Sequence, residues 1–472
     1  MMFKKKYKGT ELFLFIATLI IILFKFWLSA ALPLLDKTES RYAEIARIMA
    51  ETKEWVVLQI DYGVPFWAKP PLSTWISAMS FDVFGVSELS ARLPSFLISL
   101  IIIIIVGKMV KKSSISFYLP AFALLTMPEF LIHTGVVSTD TALNFCVILI
   151  MLSFWKAMEN EHKSLWNYLF FIGVGLGFLA KGPLILVLTG PPILAYILIR
   201  KIKFKAVFTK LPWVIGILIV LLIAVPWYLL AEERSPGFLD YFIVGEHFKR
   251  FLVPGWKGDL YGSGHSQPKG MIWVFLFIFT FPWFQLVLYK LWKIRKTIFK
   301  DKWVTFLVIW LAWTPLFFTM STNILHTYIL PVTIPIALLV VHFWDSYSKK
   351  KLILGVGSIF PVLAIIAFFG FVLPGKADIY MNSDKYLLEH QMVKTKNIPI
   401  FYWKKKSYSS QFYSKGKVKK VKNEKELDSV NSIYPEFYFI ISNKHKKEIS
   451  SNLISKMKFL EANKKSSIYK IE

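Results

Sequence analysis

Eleven long apolar runs constrain this chain more than any other feature. They cover residues 11–31, 93–110, 116–133, 139–157, 166–180, 183–199, 211–230, 270–290, 303–320, 327–344 and 352–373. Most approach the ~20 residues a helix needs to cross the hydrocarbon core of a bilayer. In lipid, each spanning segment must satisfy its own backbone polar groups, so such runs fold as helices. The expected fold is an all-α polytopic membrane protein with about eleven membrane helices, and up to thirteen. Composition agrees: 55% of the 472 residues are hydrophobic, 17% aromatic and only 18% charged, against about 25% charged in soluble domains. That excludes a disordered chain, a collagen-like fibre and most cytosolic enzymes. The single cysteine, Cys146, lies inside an apolar run, which excludes an internal disulfide, a Cys-based zinc finger and an iron–sulfur site.

The net charge is +27, from 57 Lys and Arg against 30 Asp and Glu. In a soluble protein this would suggest nucleic acid. Here the basic clusters, at residues 4–8, 108–112, 156–163, 200–205, 290–302 and 349–351, border the apolar runs. They read as loops held on the cytoplasmic face, so membrane lipids and not nucleic acid are the expected partners. Tracing the runs alternately from a cytoplasmic N-terminus puts every cluster on that face. The first run exceeds the 7–15 residue core of a signal peptide and reads as a retained span. The opposite face then receives two large loops, 32–92 and 231–269, three short turns and the tail. Residues 1–374 form the transmembrane unit. Residues 375–472 are Lys-rich and alternate strand-like pieces, such as 437–441, with helical ones; they read as a small soluble α/β domain. Gly173, Gly175 and Gly177 fall inside an apolar run and read as helix packing rather than nucleotide binding.

Polar residues collect on that non-cytoplasmic face. In the first loop, Tyr42, Ile45, Ala46 and Met49 make one apolar stripe, expected of an amphipathic helix lying along the membrane surface. Asp36 and Glu39 at its start fit a capping box, or a carboxylate serving as base or electrostatic partner. Lys69, between Ala68 and Pro70-Pro71, either snorkels to headgroups or meets a phosphate as a point charge. Asp140 either caps a helix or acts at a membrane edge, where an acid is costly. Lys181, before Gly182-Pro183, is an interfacial anchor or a second phosphate contact. Glu246, His247, Lys249 and Arg250 make either a solvated amphipathic turn or an anion site. Tyr328 bonds a ligand or belongs to an interfacial aromatic belt. Chemistry on this face has no ATP, so a reaction there needs a pre-activated substrate; a polyprenyl-phosphate sugar in the same membrane meets that need.

These residues sit in an ordered series of motifs: Arg41-Tyr42-Ala43-Glu44-Ile45-Ala46-Arg47 after the acids, Lys69-Pro70-Pro71-Leu72, Gly85-Val86 through Arg92-Leu93-Pro94, Ser138-x-Asp140, Lys181-Gly182, Pro226-Trp227, Glu246-His247-x-x-Arg250-Phe251 and Thr327-Tyr328-Ile329-Leu330-Pro331. The series resembles the bacterial aminoarabinose transferase-like, lipid A-modifying branch of the GT-C glycosyltransferases, related to protein O-mannosyltransferases. The resemblance implies a GT-C-like enzyme of the bacterial inner membrane with a periplasmic C-terminal domain. Its donor would be a polyprenyl-phosphate-linked sugar, and its acceptor lipid A phosphate or another envelope glycan or lipid. By this likeness the family's first-loop acid falls on Asp36 or Glu39, its phosphate-binding lysine on Lys69, its second acid on Asp140 and its late tyrosine on Tyr328. Two departures stand out. The family often has adjacent Asp-Glu just before Arg-Tyr, where this chain has Asp36 and Glu39. It often has Gly-Lys before the late tyrosine, where this chain has Asn323-Ile324-Leu325-His326 and no lysine.

The expected chemistry is inverting displacement at the anomeric carbon. Lys69, Arg41, Arg250, Lys181 and Tyr328 would surround the donor phosphate, and Asp36, Glu39 and Asp140 would supply the carboxylates. Glu246, His247 and His326 would contact the acceptor or a divalent metal ion. The alternatives are a protein O-glycosyltransferase of the same fold, and a lipid or sugar transporter. A transporter calls for acids and bases near the bilayer midplane, whereas the span interiors hold almost no charge beyond Lys25.

Overall fold

The computed structural model describes residues 2–110, 117–250, 253, 256, 258–262, 267–321, 323–394, 398–449, 454 and 457–471, with side chains from residue 9 onward except 390–394. The basic residues Lys111 and Lys112, and Phe251 of the second large loop, lie outside the described residues. Every apolar run is helical where described, but the runs differ in length. Among the described residues six helices are long and apolar enough to cross a membrane: Gly9–Ala31, Glu88–Val110, Thr139–Glu159, Trp213–Arg234, Lys302–Thr319 and Lys350–Val372. Met271–Phe279 and Trp283–Lys293 are bent by 106° at their break; counted as one span they make seven. Leu165–Lys181, Leu184–Ile199 and His326–His342 are shorter apolar helices. The 116–133 run splits into Tyr118–Thr126 and Pro128–His133, because Pro128 cannot donate into the preceding turn and disfavours helical geometry before it.

The Thr139–Glu159 helix runs through the middle of the bundle, with residues 146–154 buried throughout. Its neighbour Leu165–Lys181 presents the three glycines to three partners. A Cβ would fall 2.9 Å from Ile150 at Gly173, 3.0 Å from Ile223 at Gly175 and 2.3 Å from Ile185 at Gly177. The glycines therefore serve close helix packing, as read from the sequence. Because these two helices are antiparallel neighbours, Asp140 in the first turn of one and Lys181 at the end of the other lie at the same end of the bundle.

At that end the first loop forms helices Thr38–Thr52 and Leu72–Phe84 and a short hairpin, Gln59–Asp61 with Val64–Pro65. The expected stripe Tyr42, Ile45, Ala46 and Met49 is buried. The helix does not lie on lipid, however. Glu44 and Arg47, on another face, are also buried and pair with each other at 2.7 and 2.8 Å. The apolar stripe shares a core with Phe81, Trp227 and Phe412. The last of these comes from the Tyr408–Tyr413 helix of the tail, so protein takes the place of the lipid surface.

The tail carries a five-stranded sheet in the order Lys419–Val421, Ile400–Trp403, Phe437–Ser442, Ser466–Ile471, Lys458–Ala462. The first three strands are parallel and the last two join antiparallel. Ile400–Trp403 is buried on both faces, as parallel strands covered by helices require. The α/β reading of this region thus holds in its architecture. Several contacts tie it to the first loop, and Asp36 gathers a cluster of them. Asp36 Oδ1 accepts from Ser409 N at 2.9 Å and from Ser40 Oγ at 2.6 Å, while Oδ2 meets Ser409 Oγ and Lys465 Nζ. Asp36 N also donates to Asn382 O at 2.7 Å. Charge-assisted bonds contribute about 1.5–3 kcal/mol each. Asp36→Ala is therefore expected to expose the tail to added protease about ten times faster or more, at unchanged membrane insertion. Digestion at the wild-type rate would show that Asp36 is not the anchor.

Candidate active site

Asp140 follows Ser138, which caps the helix: Ser138 Oγ accepts from Asp140 N at 2.9 Å. Asp140 itself is therefore no cap. Its Oδ1 pairs with Lys181 Nζ, and Ser138 Oγ lies 3.2 Å from its Oδ2. Lys181 does not reach lipid. Only 12% of its side chain is exposed, and Nζ sits 5.3 Å from the centre of the Tyr328 ring. Gly182, at φ +70°, lets the chain turn directly after Lys181, where a Cβ would fall 2.6 Å from the Phe242 ring. Tyr328 is no belt residue either: it packs 4.6 Å from Phe318 and faces inward. Asp140, Lys181, Thr327 and Tyr328 line one small cavity together with Leu143, Leu188 and Phe318.

A second group lies beside it. Asp240–Lys249 is π-helical, an uncommon geometry that recurs at functional sites. It brings Glu246 Oε2 to 2.9 Å from Lys69 Nζ and 2.8 Å from Arg250 Nη1. Glu246 is 4% exposed, so this segment is not a solvated turn, and Lys69 is not snorkelling. Burial pushes the Glu246 carboxyl up, but Lys69 and Arg250 outweigh it and hold the pKa down to about 2. The carboxylate's contribution to stability is thus fully present above its ordinary value of 4.5 and is lost as pH falls through about 2. Arg250 Nε lies 3.7 Å from Asp259, and Asn323 Nδ2 donates to Arg250 O at 2.7 Å. Two cations around one anion leave the group one positive charge in excess before Asp259 is counted.

His247 links the two groups. Its Nδ1 lies 2.8 Å from Phe242 O and its Nε2 3.1 Å from Lys181 O. Burial lowers its pKa below the usual imidazole value against the pull of these carbonyls. The neutral ring then donates to only one of them. Arg41 stands at the edge, donating to Tyr261 O at 3.1 Å. Its guanidinium lies over Tyr42, Phe66 and Tyr408 at 5.2, 5.7 and 5.9 Å, with Nε unpaired among the described residues. Tyr261 OH in turn donates to Pro65 O and accepts from Trp67 N, which joins Arg41 to the segment carrying Lys69.

Three of the expected site residues are placed elsewhere. Asp36 is taken by the tail. Glu39 accepts both arms of Arg92 at 2.8 Å, plus Leu35 N at 3.2 Å and Val137 N at 3.5 Å. The helix starting at Thr38 has no side-chain cap, so the capping box does not form either: both carboxylates find stronger cationic partners. His326 turns away from Glu246 to Glu129, at 2.8 Å. Among the described residues no group of three or more His, Cys, Asp or Glu side chains converges as metal ligands. Glu246, His247 and His326 are instead engaged with cations, carbonyls and Glu129, so no metal-dependent step is derived. Sequence reasoning passed over Arg92, although Arg92 stands in a quoted motif, and it passed over Glu129, His133, Asp259 and Tyr261. An arginine directly before an apolar run, in Ala91-Arg92-Leu93-Pro94, was the available signal for the first.

Comparisons with known proteins agree with the motif series. The profile of the family described as Dolichyl-phosphate-mannose-protein mannosyltransferase matches residues 10–242. The crystal structure of ArnT from Cupriavidus metallidurans bound to undecaprenyl phosphate aligns with a TM-score of 0.73, covering 96% of this chain and 97% of that one, at 18% identity. The chain has the fold of that ArnT. The apo structure of the same ArnT gives 0.72. In sequence, the chain is 29% identical over 314 residues to the undecaprenyl phosphate-alpha-4-amino-4-deoxy-L-arabinose arabinosyl transferase of Yersinia pestis (strain Pestoides F), covering 64% of this chain and 53% of that protein. It is 28% identical over 368 residues to arabinosyl transferase 1 of Pseudomonas fluorescens (strain Pf0-1), covering 74% and 61%. The matched region thus spans about half the length of the Yersinia relative.

Proposed function

We propose that this chain is an integral membrane glycosyltransferase that moves a sugar from a polyprenyl-phosphate donor to an envelope acceptor such as lipid A phosphate or another glycan or lipid. The observation that carries the reading is the pair of cation groups at one end of the bundle: Lys69 and Arg250 held by Glu246, and Lys181 held by Asp140 under Tyr328. Carboxylates occupy the positions a phosphate would take, and a donor phosphate would compete for the same cations. Lys69, Arg250 and Lys181 would then stabilise the charge that grows on the leaving phosphate. Asp140 would steady Lys181 at the reacting end, and Arg41 would extend the cationic edge. The relatives named above, aminoarabinose transferases from undecaprenyl phosphate, support the donor class. The family profile's description as a protein mannosyltransferase keeps protein hydroxyls as a second acceptor class.

In the same reading all eleven apolar runs enter the membrane, with short and bent helices completing the set. The N-terminus is cytoplasmic, and the cavity and the tail domain face the periplasm of a bacterial inner membrane. The test is turnover of a labelled undecaprenyl-phosphate-linked sugar by the purified chain in proteoliposomes. Product with inverted anomeric configuration, together with released undecaprenyl phosphate, is the expected result. Donor that is neither bound nor consumed would end the proposal.

A further inference from the structure

With Asp36 and Glu39 consumed by structural partners, the first loop offers no free base. A buried carboxylate elsewhere does orient one. Glu129, in the short Pro128–His133 helix, has a side chain with no exposed surface. Its Oε2 lies 2.8 Å from His326 Nδ1, while His133 Nδ1 bonds the backbone oxygen of Glu129 at 3.0 Å. An ionised carboxylate and a backbone carbonyl only accept hydrogen bonds, so each Nδ1 carries a proton. That leaves the lone pair of His326 on Nε2, the arrangement by which a carboxylate sets up a histidine base.

The two imidazoles differ in access. His133 is 5% exposed, whereas the His326 side chain is 35% exposed, and its Nε2 has no hydrogen-bond partner among the described residues. The His326 ring is held flat against Phe279, at 4.9 Å and 10°. His326 opens the 3-10 turn that continues through Thr327 and Tyr328, both of which line the cavity with Asp140 and Lys181. The titratable groups around the ring are Glu129 and His133 on one helix, Asp140 and Lys181 at the ends of the next two, and Tyr328 on its own turn. The Met271–Phe279 helix adds only apolar residues.

We propose that His326, oriented by Glu129, is the general base for a hydroxyl acceptor. The proposal rests on the glycosyl-transfer reading above and narrows its acceptor to alcohols. In the step, Nε2 of His326 takes the acceptor's O–H proton while that oxygen bonds to the anomeric carbon. The bond from that carbon to the phosphate oxygen breaks, its electron pair leaves with the polyprenyl phosphate, and the proton stays on the imidazole. A phosphate acceptor is already anionic and needs no such group.

The experiment uses the full chain in proteoliposomes with an undecaprenyl-phosphate-linked pentose. It compares lipid A, offered through its phosphate, with a glycolipid bearing only hydroxyls. For the hydroxyl acceptor, His326→Gln is expected to lower kcat about 100-fold while KM for the donor and affinity for undecaprenyl phosphate stay within twofold. The acid limb of the kcat–pH profile should disappear, and added imidazole should restore turnover to His326→Ala. Glu129→Gln should lower kcat less and shift that limb. A merely structural role would instead lower donor affinity and Tm, with no imidazole rescue. Transfer confined to the phosphate acceptor, or His326→Gln turning over within threefold of wild type, would overturn the proposal while leaving glycosyl transfer standing. A wild-type chain that binds no donor would overturn both.

Discussion

Lys69→Ala is expected to weaken binding of undecaprenyl phosphate about 10- to 100-fold. The reason is charge arithmetic within a buried group. Lys69 and Arg250 share Glu246, whose carboxyl stays ionised with a pKa of about 2. With Asp259 3.7 Å from Arg250, two cations balance two anions, so Lys69 supplies half of the positive charge an incoming phosphate can meet. Removing Lys69 leaves Arg250 alone between two carboxylates, already bonded to Glu246 at 2.8 and 3.1 Å and 3.7 Å from Asp259. A charge-assisted contact contributes about 1.5–3 kcal/mol, and about 1.4 kcal/mol is tenfold in affinity. Lys69→Arg keeps the charge and should retain more affinity than Ala. Titration of the lipid phosphate into detergent-solubilised protein measures the effect, with Tm as the control for folding. Wild-type affinity in Lys69→Ala would remove Lys69 from the phosphate site.

Arg92→Leu is expected to destabilise the fold by about 3–5 kcal/mol, the usual cost of stranding one partner of a buried pair. Arg92 is 5% exposed and Glu39 8%. Besides both Glu39 oxygens, the guanidinium holds Ser29 O and Pro33 O at 2.9 Å, and also Leu32 O. These carbonyls end the first membrane helix. Leucine would take the guanidinium from all of them and leave the Glu39 carboxylate with only Leu35 N and Val137 N. Thermal unfolding in detergent is the measurement, with Glu39→Gln added in a double-mutant cycle. Restoring part of the lost Tm with the second change would confirm the pairing; an unchanged Tm in Arg92→Leu would refute it.

Both predictions turn on which partner a charged residue finds. Lys69, Asp140, Lys181, Glu246, Arg250 and Tyr328 were legible as a group because each sits at the end of an apolar run or in a loop of the same polarity. Connectivity then carries those ends together. Asp36 and Glu39 share that property and still fall outside the group. Nothing near Asp36 in sequence announces Ser409 and Lys465, more than 370 positions away. Nor does the first loop announce that Arg92 will reach Glu39 across 53 positions.

Helical character, multiple membrane segments and the clustering of reactive groups at one end follow from hydropathy and charge order, which are local and survive without any partner. The break at Gly182-Pro183 was likewise visible as residue types, whereas 116–133 read as one run and its break at Pro128 emerged in the structure. Tertiary structure alone decided the pairing of acids with cations, the covering of the Thr38–Thr52 helix by the tail in place of lipid, and the orientation of His326 by Glu129. Such pairings are settled by desolvation: a buried carboxylate must take the cation or donor that packing brings within about 3 Å, and that neighbour is set by the whole fold rather than by adjacent residues.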